Sequence, residues 1–464
     1  MKRSERYDAV ILGAGQAGVP LSTTLAKAGW KTALVEAGEV GGTCVNIGCT
    51  PSKTMIASAR VAYLARRAAE YGVHTGPVSV NMAEVRERKR RVVEYFRQGR
   101  KRRIQGPEGV DLLPGEASFV DRSTVAVRLN GDRPRYLTAE RVFINAGARP
   151  VSPPIPGLDQ VSHLDSTSIM DLVEVPSHLL VLGGGYIGLE FAQMFRRFGS
   201  AVTVLERGPQ LLPHEDADVA QAITDILHED GVEVLLGAAV TGVARDGRGE
   251  IRLSVHTPAG ERTSVGSHLL VAVGRVPNSD RLNLPAAGVA TDARGYVRVN
   301  EKLETNVPGI YALGEINGGP AFTHVSYDDY RVMRTNLLEG GRATVCSRLT
   351  PYVMFLDPHL GRVGLTEKEA RAQGRRIRVA RLPMSQVARA VETGETRGLL
   401  KAVVDADSGL ILGAAVLSVD GGEIVAILQM AMLGHLPYTA LREGVFAHPT
   451  VAEALNDLFL HLTD

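Results

Sequence analysis

The sequence predicts an α/β protein with two Rossmann-like, doubly wound nucleotide-binding domains and a C-terminal α+β domain. Glycine fingerprints at residues 13–18 and 183–188 each follow a short apolar run and precede a helix-forming stretch, which is the order of a nucleotide-binding βαβ unit. From about residue 351 the sequence changes to short strands, with helices predicted over residues 423–433 and 451–461. The 50 glycines and single tryptophan agree with an α/β architecture that has many tight turns.

Length and composition limit the possible classes of protein. A chain of 464 residues is too long for one ordinary core, so about two to four domains are expected. The formal net charge of +1 does not indicate a nucleic-acid or membrane partner, and no apolar run reaches the ~18 residues of a membrane span. The first residues lead directly into a strand and there are only three cysteines, so we expect neither a signal peptide nor a secreted disulfide framework. We therefore expect a cytoplasmic protein.

The first fingerprint lies in a short βαβ pattern. An apolar run at residues 8–12 predicts a buried parallel strand, residues 19–29 predict a helix, and residues 33–36 predict a second strand that ends in Glu36. The fingerprint glycines between the first strand and the helix are Gly13, Gly15 and Gly18. Such glycines let the backbone approach a pyrophosphate at the helix N-terminus, and the acid can accept a hydrogen bond from a ribose hydroxyl. The sequence therefore predicts a dinucleotide site here.

The second fingerprint repeats the pattern. Residues 179–182 predict a strand, residues 187–198 a helix, and residues 201–206 a strand that ends in Glu206. The fingerprint glycines are Gly183, Gly185 and Gly188. Glu206 would accept from a free 2′-hydroxyl and repel a 2′-phosphate, which favours NADH, although the adjacent Arg207 leaves NADPH open. Two nucleotide sites in one chain indicate one nucleotide that is held and another that is exchanged.

Residues 41–53, Gly-Gly-Thr-Cys-Val-Asn-Ile-Gly-Cys-Thr-Pro-Ser-Lys, contain two of the three cysteines. Residues five apart on an ideal helix are separated by roughly 7.5 Å along its axis. A disulfide needs Cα atoms at about 4.4–6.8 Å, so Cys44 and Cys49 can pair only if the backbone between them is distorted, and Gly48 allows that. A helix predicted from Thr50 onward would place the pair at its N-terminal end, where its dipole favours a thiolate. Two buried, reduced cysteines are the alternative; the surrounding glycines, Pro51 and Lys53 favour a redox-active dithiol.

The whole string resembles the signature of the flavin disulfide reductases, the class I pyridine nucleotide-disulfide oxidoreductases that include dihydrolipoamide dehydrogenase, glutathione reductase and mercuric reductase. The resemblance extends over essentially the whole chain and implies a glutathione reductase-type fold. It implies an FAD-binding domain over residues 1–150, an NAD(P)-binding domain over 151–272, a central domain over 273–345 that completes the FAD site, and an interface domain over 346–464. It also implies an obligate homodimer.

The resemblance assigns further residues to the two nucleotides. Those expected at FAD, besides the first fingerprint, are Glu36, Gly42, Thr43, Lys53, Ala117, Ala146, Gly147 and Glu315. Those expected at the nicotinamide nucleotide, besides the second fingerprint, are Tyr186, Glu206 and Gly274. The family normally has Asp at position 315, so the contact of the longer Glu315 with the ribityl chain must shift. Tyr186 matches an aromatic residue that covers the flavin, and a core tyrosine is an equally open interpretation.

The resemblance also implies the catalytic residues. Electrons would pass from NADH through FAD to a Cys44–Cys49 disulfide, with Cys49 nearer the flavin and Cys44 as the exposed thiol that meets the substrate. His448, in a His-Pro-Thr motif, would act as acid/base at the dithiol of the other subunit, and Glu453 would orient its ring. A monomer would then be inactive.

Lys53 and Glu190 match a family ion pair beside the flavin, where a cation favours the reduced, anionic form.

The sequence indicates the substrate class less strongly than it indicates the family. Residues 322–331 resemble a mercuric-reductase-like branch that contains NADH-dependent reductases of reactive-chlorine and hypothiocyanous-acid resistance, which also reduce Cu(II). Mercuric reductases carry a further C-terminal cysteine pair that this chain lacks, since its third cysteine, Cys346, is isolated and is interpreted as an incidental thiol. Dihydrolipoamide dehydrogenase activity stays open because it uses the same His-Pro-Thr…Glu pair. A mercury or other metal reductase and a non-catalytic flavin redox sensor are further alternatives, and no resident metal is predicted.

A strongly basic helix is predicted over residues 85–105. Its ten basic side chains are Arg86, Arg88, Lys89, Arg90, Arg91, Arg97, Arg100, Lys101, Arg102 and Arg103. Interleaved apolar residues give the helix one apolar face, which favours a solvated helix over a nucleic-acid site.

Overall fold

The computed structural model describes residues 4–106, 109–128 and 133–463. The described residues divide into two compact units, each built from several chain segments. The first unit contains the chain up to Thr54, Glu84–Val151 and Gly274–Arg348; the second contains Met55–Ala83, Ser152–Val273 and the chain from Leu349 onward. Both units mix helices and sheets, so the predicted α/β fold class is confirmed.

The first unit is built on a seven-stranded sheet. Its strands in spatial order are Asp111–Pro114, Thr32–Glu36, Ser4–Leu12, Arg135–Ile144, Thr124–Arg128 and Glu116–Phe119, with Ile310–Ala312 also paired to Arg135–Ile144. The strands around Ser4–Leu12 run parallel, and the last three in the order form an antiparallel meander. Val10 and Ile11 on the central strand are fully buried, as expected for a parallel strand covered on both faces.

The helices and remaining strands of the first unit surround this sheet. The α-helices are Gly18–Lys27, Gly42–Asn46, Cys49–Arg67 (which continues into the second unit), Met82–Ile104, Leu284–Ala287 and Thr323–Leu338. The short 3₁₀ helices are Asn278–Arg281 and Gly314–Asn317, and Ala148–Pro150 pairs antiparallel with Arg275–Pro277. Among the described residues, no helix combines the length and apolar character that a bilayer crossing requires.

The second unit contains three sheets. The parallel sheet has the strand order Glu233–Leu236, Ala201–Glu206, His178–Leu182 and His268–Val271. The three-stranded antiparallel sheet consists of Ala239–Arg245, Ile251–Thr257 and Gly260–Gly266. The six-stranded antiparallel sheet has the order Tyr352–Met354, His359–Gly364, Ile411–Ser418, Leu399–Asp405, Ile377–Pro383 and Leu462–Thr463.

The second unit contains seven α-helices among the described residues, besides its part of Cys49–Arg67. They are Tyr186–Phe198, Ala217–Glu229, Glu367–Ala372, Ala388–Glu392, Gly421–Leu433, Tyr438–Arg442 and Ala454–Leu460. Short 3₁₀ helices are Ala68–Tyr71, Leu158–Gln160, Ser168–Asp171 and Met384–Gln386.

The family resemblance implies one strand over residues 142–150 and another over residues 268–278, and glycine interrupts both segments. The segment 142–150 divides into the end of Arg135–Ile144 and the strand Ala148–Pro150, with Gly147 between them at φ +64°. The segment 268–278 divides into His268–Val271 and Arg275–Pro277, with Gly274 at φ +137°. Both glycines adopt backbone conformations that other residues rarely reach, so each strand ends before its glycine and the chain turns there.

Candidate active site

The first fingerprint forms a tight turn between the strand Ser4–Leu12 and the helix Gly18–Lys27. A Cβ on Gly13, which has φ +113°, would lie 2.3 Å from the carbonyl oxygen of Asn145, and a Cβ on Gly18 would lie 2.0 Å from that of Gly13. The amide of Gly18 donates to Oδ1 of Asn145 at 3.0 Å. No side chain fits at either glycine, so the helix begins directly against the turn, where its amides can meet a phosphate.

Glu36 braces this turn. Its carboxylate accepts from the amide of Ala14 at 2.7 Å and from the amide of Gly38 at 2.8 Å. Burial raises the pKa of Glu36, and the two backbone hydrogen bonds oppose that rise. The ribose contact expected from the sequence would therefore use lone pairs that remain on a carboxylate already fixed by the backbone.

The second fingerprint turn, in the second unit, repeats the arrangement. The carboxylate of Glu206 accepts from the amide of Gly184 at 2.7 Å and from the amide of Gly208 at 2.7 Å. A Cβ on Gly188 would lie 2.3 Å from the carbonyl oxygen of Gly183. At Gly185, by contrast, a Cβ would meet no described atom within 4 Å. This glycine leaves open space above the backbone, which suits the approach of a pyrophosphate.

The dithiol, Cys44 and Cys49, lies where two helical segments meet. Cys44 belongs to Gly42–Asn46, and Cys49 is the first residue of Cys49–Arg67. The interruption predicted between them is present: the first segment ends at Asn46, and a Cβ on Gly48 would lie 2.9 Å from the carbonyl oxygen of Thr43.

Both cysteines carry free thiols in this structure. A hydrogen bond with Cys49 and then burial raise the pKa of Cys44, whereas the Thr323 hydroxyl and the Arg100 guanidinium act to lower it. Oγ1 of Thr323 also lies 3.4 Å from Sγ of Cys49. Cys49 is the first residue of Cys49–Arg67, whereas Cys44 lies half-buried on the short helix before it, so the expected effect of the helix dipole on a thiolate stays a prediction.

The short helix with Cys44 packs closely against the turn of the first fingerprint. Gly42 has φ +62°, and a Cβ there would lie 2.8 Å from Cα of Gly15. Thr43 follows Gly42 on the same helix, and Lys53 lies half-buried on Cys49–Arg67. The structure thus brings the dithiol and the first nucleotide-binding turn together within one unit.

The other residues assigned to FAD lie on neighbouring elements of the first unit. Ala117 is on the strand Glu116–Phe119, and Ala146 and Gly147 form the turn after Arg135–Ile144. The carbonyl oxygen of Ala146 accepts from Nδ2 of Asn278 at 2.8 Å, and that of Gly147 accepts from the Asn278 amide at 3.0 Å.

Glu315 has a partner that sequence reasoning missed. Nε of Arg275 donates to Oε1 of Glu315 at 2.6 Å, and both side chains are largely buried. The longer acid is therefore held by a guanidinium on the strand Arg275–Pro277. The contact of Glu315 with the ribityl chain stays a prediction. Its carboxylate would make that contact while paired with Arg275.

His448 and Glu453 come together in the second unit. Nδ1 of His448 lies 2.8 Å from Oε2 and 3.1 Å from Oε1 of Glu453. The predicted helix over residues 451–461 begins only at Ala454, because residues 451–453 form a turn in which the Glu453 amide donates to Oγ1 of Thr450. The turn places the carboxylate beside the imidazole, and the His448 side chain is 68% exposed.

The structure also places three further residues predicted at the nucleotide sites: Glu190, Tyr186 and Gly274. Glu190 is buried on the helix Tyr186–Phe198 and accepts from the amide of Phe355 at 2.8 Å. Tyr186 is 38% exposed at the start of that helix, which is more consistent with a surface role than with a core tyrosine. Gly274 precedes the strand Arg275–Pro277. The pairing of Glu190 with Lys53 stays a prediction.

Sequence reasoning missed several residues that build the site. Asn145 accepts from the amide of Gly18 and donates Nδ2 to the carbonyl oxygen of Leu313 at 2.8 Å. Asp329, which is buried, accepts from the amide of Gly314 at 2.7 Å and from Arg348 at 2.6 Å. The signal for Asp329 was present in the segment 322–331, but nothing local in the sequence identifies its partners, which are distant along the chain.

Comparison with known proteins identifies the family. The family model described as pyridine nucleotide-disulphide oxidoreductase matches residues 7–329. The chain belongs to this family. A second model, described as the dimerisation domain of the pyridine nucleotide-disulphide oxidoreductases, matches residues 350–459. Three expectations from the sequence are thereby confirmed: the family, the glutathione reductase-type fold and the enzyme class.

Several curated proteins are similar over nearly the whole chain. The probable pyridine nucleotide-disulfide oxidoreductase RclA of Escherichia coli (strain K12) is 40% identical over 459 residues, covering 98% of this chain and 99% of the relative. Mercuric reductase of Bacillus cereus is 35% identical, covering 97% of this chain and 70% of the relative. Dihydrolipoyl dehydrogenase of Geobacillus stearothermophilus is 33% identical, covering 96% of this chain and 94% of the relative.

Solved structures agree with this assignment. The chain is similar to the HOCl-induced flavoprotein disulfide reductase RclA from Escherichia coli, with a TM-score of 0.88, 39% identity and coverage of 98% of this chain and 99% of that chain. The Cu(II) complex of the same E. coli protein gives a TM-score of 0.89, with 39% identity and coverage of 98% and 99%. As a pyridine nucleotide-disulphide oxidoreductase the chain uses FAD and a pyridine nucleotide, and its two glycine turns fit these groups. Its dimerisation domain indicates a homodimer.

Proposed function

We propose that the chain is an NADH-dependent flavoprotein reductase that uses Cys44 and Cys49 to reduce small oxidants of the reactive-chlorine and hypothiocyanous-acid type, with Cu(II) as a second acceptor. The observation that carries the proposal is the pair of free thiols, Cys44 and Cys49, on two consecutive helical segments beside the first nucleotide-binding turn. The relatives described as HOCl-induced and as a Cu(II) complex support this substrate class.

The first fingerprint, with Glu36, Gly42, Thr43 and the turn at Ala146 and Gly147, would hold FAD. When bound, FAD would supply the two-electron chemistry that links the nicotinamide to the cysteine pair. The second fingerprint, with Gly274, would hold NADH.

The cysteines perform the reduction in two steps. The Cys44 thiolate attacks the electrophilic chlorine or sulfur atom of an oxidant X–OH, forming Cys44–S–X and releasing hydroxide. The Cys49 thiol then attacks the Cys44 sulfur, which forms the Cys44–Cys49 disulfide and releases X⁻ and a proton. Hydroxide and the proton give water, so one NADH and one X–OH yield NAD⁺, X⁻ and water.

The imidazole of His448 would move the proton in the homodimer. Its Nδ1 faces the Glu453 carboxylate at 2.8 Å, which leaves Nε2 for proton transfer to the departing group at the dithiol of the other subunit. The 68% exposure of the side chain in the single chain agrees with a group that acts on a second subunit. We assign Lys53 and Glu190 to an ion pair that favours reduced flavin.

Glu206 supports the preference for NADH. The amides of Gly184 and Gly208 hold its carboxylate at the end of the strand Ala201–Glu206. A fixed negative charge there can accept from a ribose 2′-hydroxyl and repels a 2′-phosphate.

Cu(II) would be bound at the two sulfurs, because thiolate ligands suit Cu(I). Oxidation of the dithiol to the Cys44–Cys49 disulfide releases two protons and two electrons, which reduce two Cu(II) ions to Cu(I).

Dihydrolipoamide dehydrogenase activity is the second candidate. The His448–Glu453 pair favours it, as does the relative named dihydrolipoyl dehydrogenase at 33% identity. In that case the substrate at Cys44 would be a disulfide or dithiol instead of an X–OH oxidant.

A side-by-side assay tests the proposal. Purified FAD-loaded enzyme is given NADH and, in separate reactions, hypothiocyanous acid, Cu(II), Hg(II), lipoamide and oxidised glutathione. We expect the highest kcat/KM with hypothiocyanous acid and measurable turnover with Cu(II). A high rate with lipoamide alone would contradict the proposed substrate class and favour the second candidate.

A further inference from the structure

The basic helix Met82–Ile104 contacts the helix that carries Cys44 through one face. Nε of Arg97 donates to Oδ1 of Asn46 at 3.0 Å, and Asn46 is the last residue of Gly42–Asn46. Nζ of Lys101 lies 3.2 Å from the carboxylate of Glu39, just before that helix. The two basic side chains are four residues apart and therefore lie on the same face of the helix.

Arg100 lies on the same helix, between Arg97 and Lys101 in the sequence. Its NH2 donates to Oε1 of Gln16 at 3.2 Å, and Nε2 of Gln16 donates to the carbonyl oxygen of Gly41 at 3.0 Å. Gly41 is the N-cap residue of the helix Gly42–Asn46. A chain of two hydrogen bonds thus holds the guanidinium beside the start of the helix with Cys44.

Arg100 differs from its basic neighbours in its partners. Arg97 and Lys101 both pair with Glu39. Within the described ranges, no carboxylate forms an ion pair with Arg100, whose hydrogen-bond partner is the neutral amide of Gln16. Arg100 is half-buried, and desolvation followed by the like charge of Arg103 lowers its pKa. A half-buried cation without a counter-ion is unfavourable for folding, and such groups are concentrated at functional sites.

The groups that act on Cys44 are few. Cys49 and burial favour its thiol form, while the Thr323 hydroxyl and the Arg100 guanidinium favour the thiolate. Tyr327 adds a titratable hydroxyl near Arg100. Among these groups, Arg100 is the one that carries a positive charge.

We propose that Arg100 is a specificity-determining residue that holds small anionic oxidants, or oxidants with an anionic leaving group, at Cys44. The proposal rests on the proposed function of Cys44 as the thiol that meets the substrate. In the reaction of Cys44 with X–Y, the thiolate forms the S–X bond while Y leaves with the electron pair as Y⁻. The guanidinium stabilises the negative charge on Y as that bond breaks. The same charge repels Cu(II), so Arg100 separates the two acceptor classes.

Alkylation of Cys44 tests the charge without any turnover. In a Cys49→Ser, Cys346→Ser background Cys44 is the one remaining cysteine of the three. Cys44 is alkylated with iodoacetate, which is an anion, and separately with iodoacetamide, which is neutral. Both rate constants are proportional to the fraction of Cys44 that is thiolate, so this fraction cancels in their ratio. The ratio therefore reports the charge near Cys44. We expect Arg100→Gln to lower this ratio about three- to ten-fold. Arg100→Lys should keep most of the ratio.

Arg102→Gln is the matched control, since Arg102 is an exposed residue of the same helix and the charge change is identical. We expect its ratio to equal that of the parent. An unchanged ratio in Arg100→Gln, or an equal fall in Arg102→Gln, would overturn the proposal. So would a loss of bound FAD in Arg100→Gln with an unchanged ratio, which would make Arg100 a partner of the cofactor phosphates.

Turnover provides the second readout. With otherwise intact cysteines, Arg100→Gln should lower kcat/KM for hypothiocyanous acid and leave that for Cu(II) unchanged or higher. Equal losses with both acceptors would contradict the proposal. If the parent enzyme reduces neither acceptor, the proposed function fails, while the alkylation ratio still decides whether Arg100 provides a positive charge at Cys44.

Discussion

The carboxylate of Glu206 accepts a hydrogen bond from the amide of Gly184, the residue that follows the first glycine of the second fingerprint, at 2.7 Å. Glu36 makes the corresponding contact with Ala14 in the first fingerprint, also at 2.7 Å. Each acid also accepts from the amide two residues further along the chain. In both turns, therefore, the acid that ends the second strand fixes the glycine turn, in addition to its predicted contact with a ribose.

Replacing Glu206 by Ala should reduce the preference for NADH. The change removes the charge that repels a 2′-phosphate, and we expect the ratio of kcat/KM for NADH to that for NADPH to fall about ten-fold or more. Steady-state kinetics with both nucleotides and one oxidant provide the measurement. Arg207→Ala is the control; it should not increase the use of NADPH. An unchanged ratio in Glu206→Ala would show that the acid does not select the nucleotide.

Gly185 and Gly188 should respond differently to alanine. Gly185 has φ −82° and open space at the position that an added methyl group would occupy, so Gly185→Ala should fold, retain FAD and raise the KM for NADH. At Gly188 a methyl group would lie 2.3 Å from the carbonyl oxygen of Gly183, so Gly188→Ala should lower the thermal stability of the protein as well. Thermal unfolding and NADH kinetics of the two variants make the comparison. A Gly185→Ala variant with the parent's KM would mean that no pyrophosphate approaches there.

Local sequence patterns predicted the elements that carry the site. The strand at 201–206, both glycine turns and the break near Gly48 follow from apolar runs and from glycines whose conformations other residues rarely adopt. Contacts between distant segments were not predictable in this way. The pair Arg275–Glu315 and the hydrogen bond from Gly18 to Asn145 depend on how strands far apart in sequence meet in the sheet.

Charge was the least informative signal in the sequence. The basic residues of Met82–Ile104 look alike in the sequence, yet Arg97 and Lys101 bind Glu39 whereas Arg100 hydrogen-bonds Gln16. Their partners are fixed by the packing of that helix against the segment with Cys44. The pKa of Cys44 also depends on Thr323, which lies on a helix more than two hundred residues further along the chain.

Asp357 is the centre of a buried ion-pair cluster in the second unit. It binds Arg60, and Oδ2 lies 2.5 Å from NH1 of Arg197, with the two side chains 6% and 5% exposed. Replacing Asp357 by Ala should lower the free energy of unfolding by about 3–5 kcal/mol, because the one carboxylate left to Arg197 among the described residues is that of Asp230, at 3.4 Å. Urea denaturation followed by circular dichroism provides the measurement. Asp407→Ala, which breaks an exposed pair with Arg376, should change the free energy by less than about 1 kcal/mol.

The same cluster predicts a dependence on pH. Burial acts to raise the pKa of Asp357, but Arg197 and Arg60 outweigh it and the pKa lies below its usual value. A carboxylate with a depressed pKa in the folded state stabilises the protein above its unfolded pKa of about 3.9, and this stabilisation is lost as the pH falls through the folded pKa. Asp357→Asn should therefore lose less stability than the parent on acidification. An equal loss in both proteins would show that Asp357 does not contribute to it.

In the proposed reaction, electrons leave the enzyme through the sulfur of Cys44. The most direct test compares NADH oxidation by FAD-loaded Cys44→Ser and Cys346→Ser in the presence of hypothiocyanous acid; the control removes a thiol that contacts Glu301 instead of Cys49. We predict that Cys44→Ser retains FAD but loses about 100-fold or more in kcat, while Cys346→Ser keeps the parent's rate. A Cys44→Ser enzyme that turns over as fast as the parent would contradict the role of Cys44 as the thiol that reduces the oxidant.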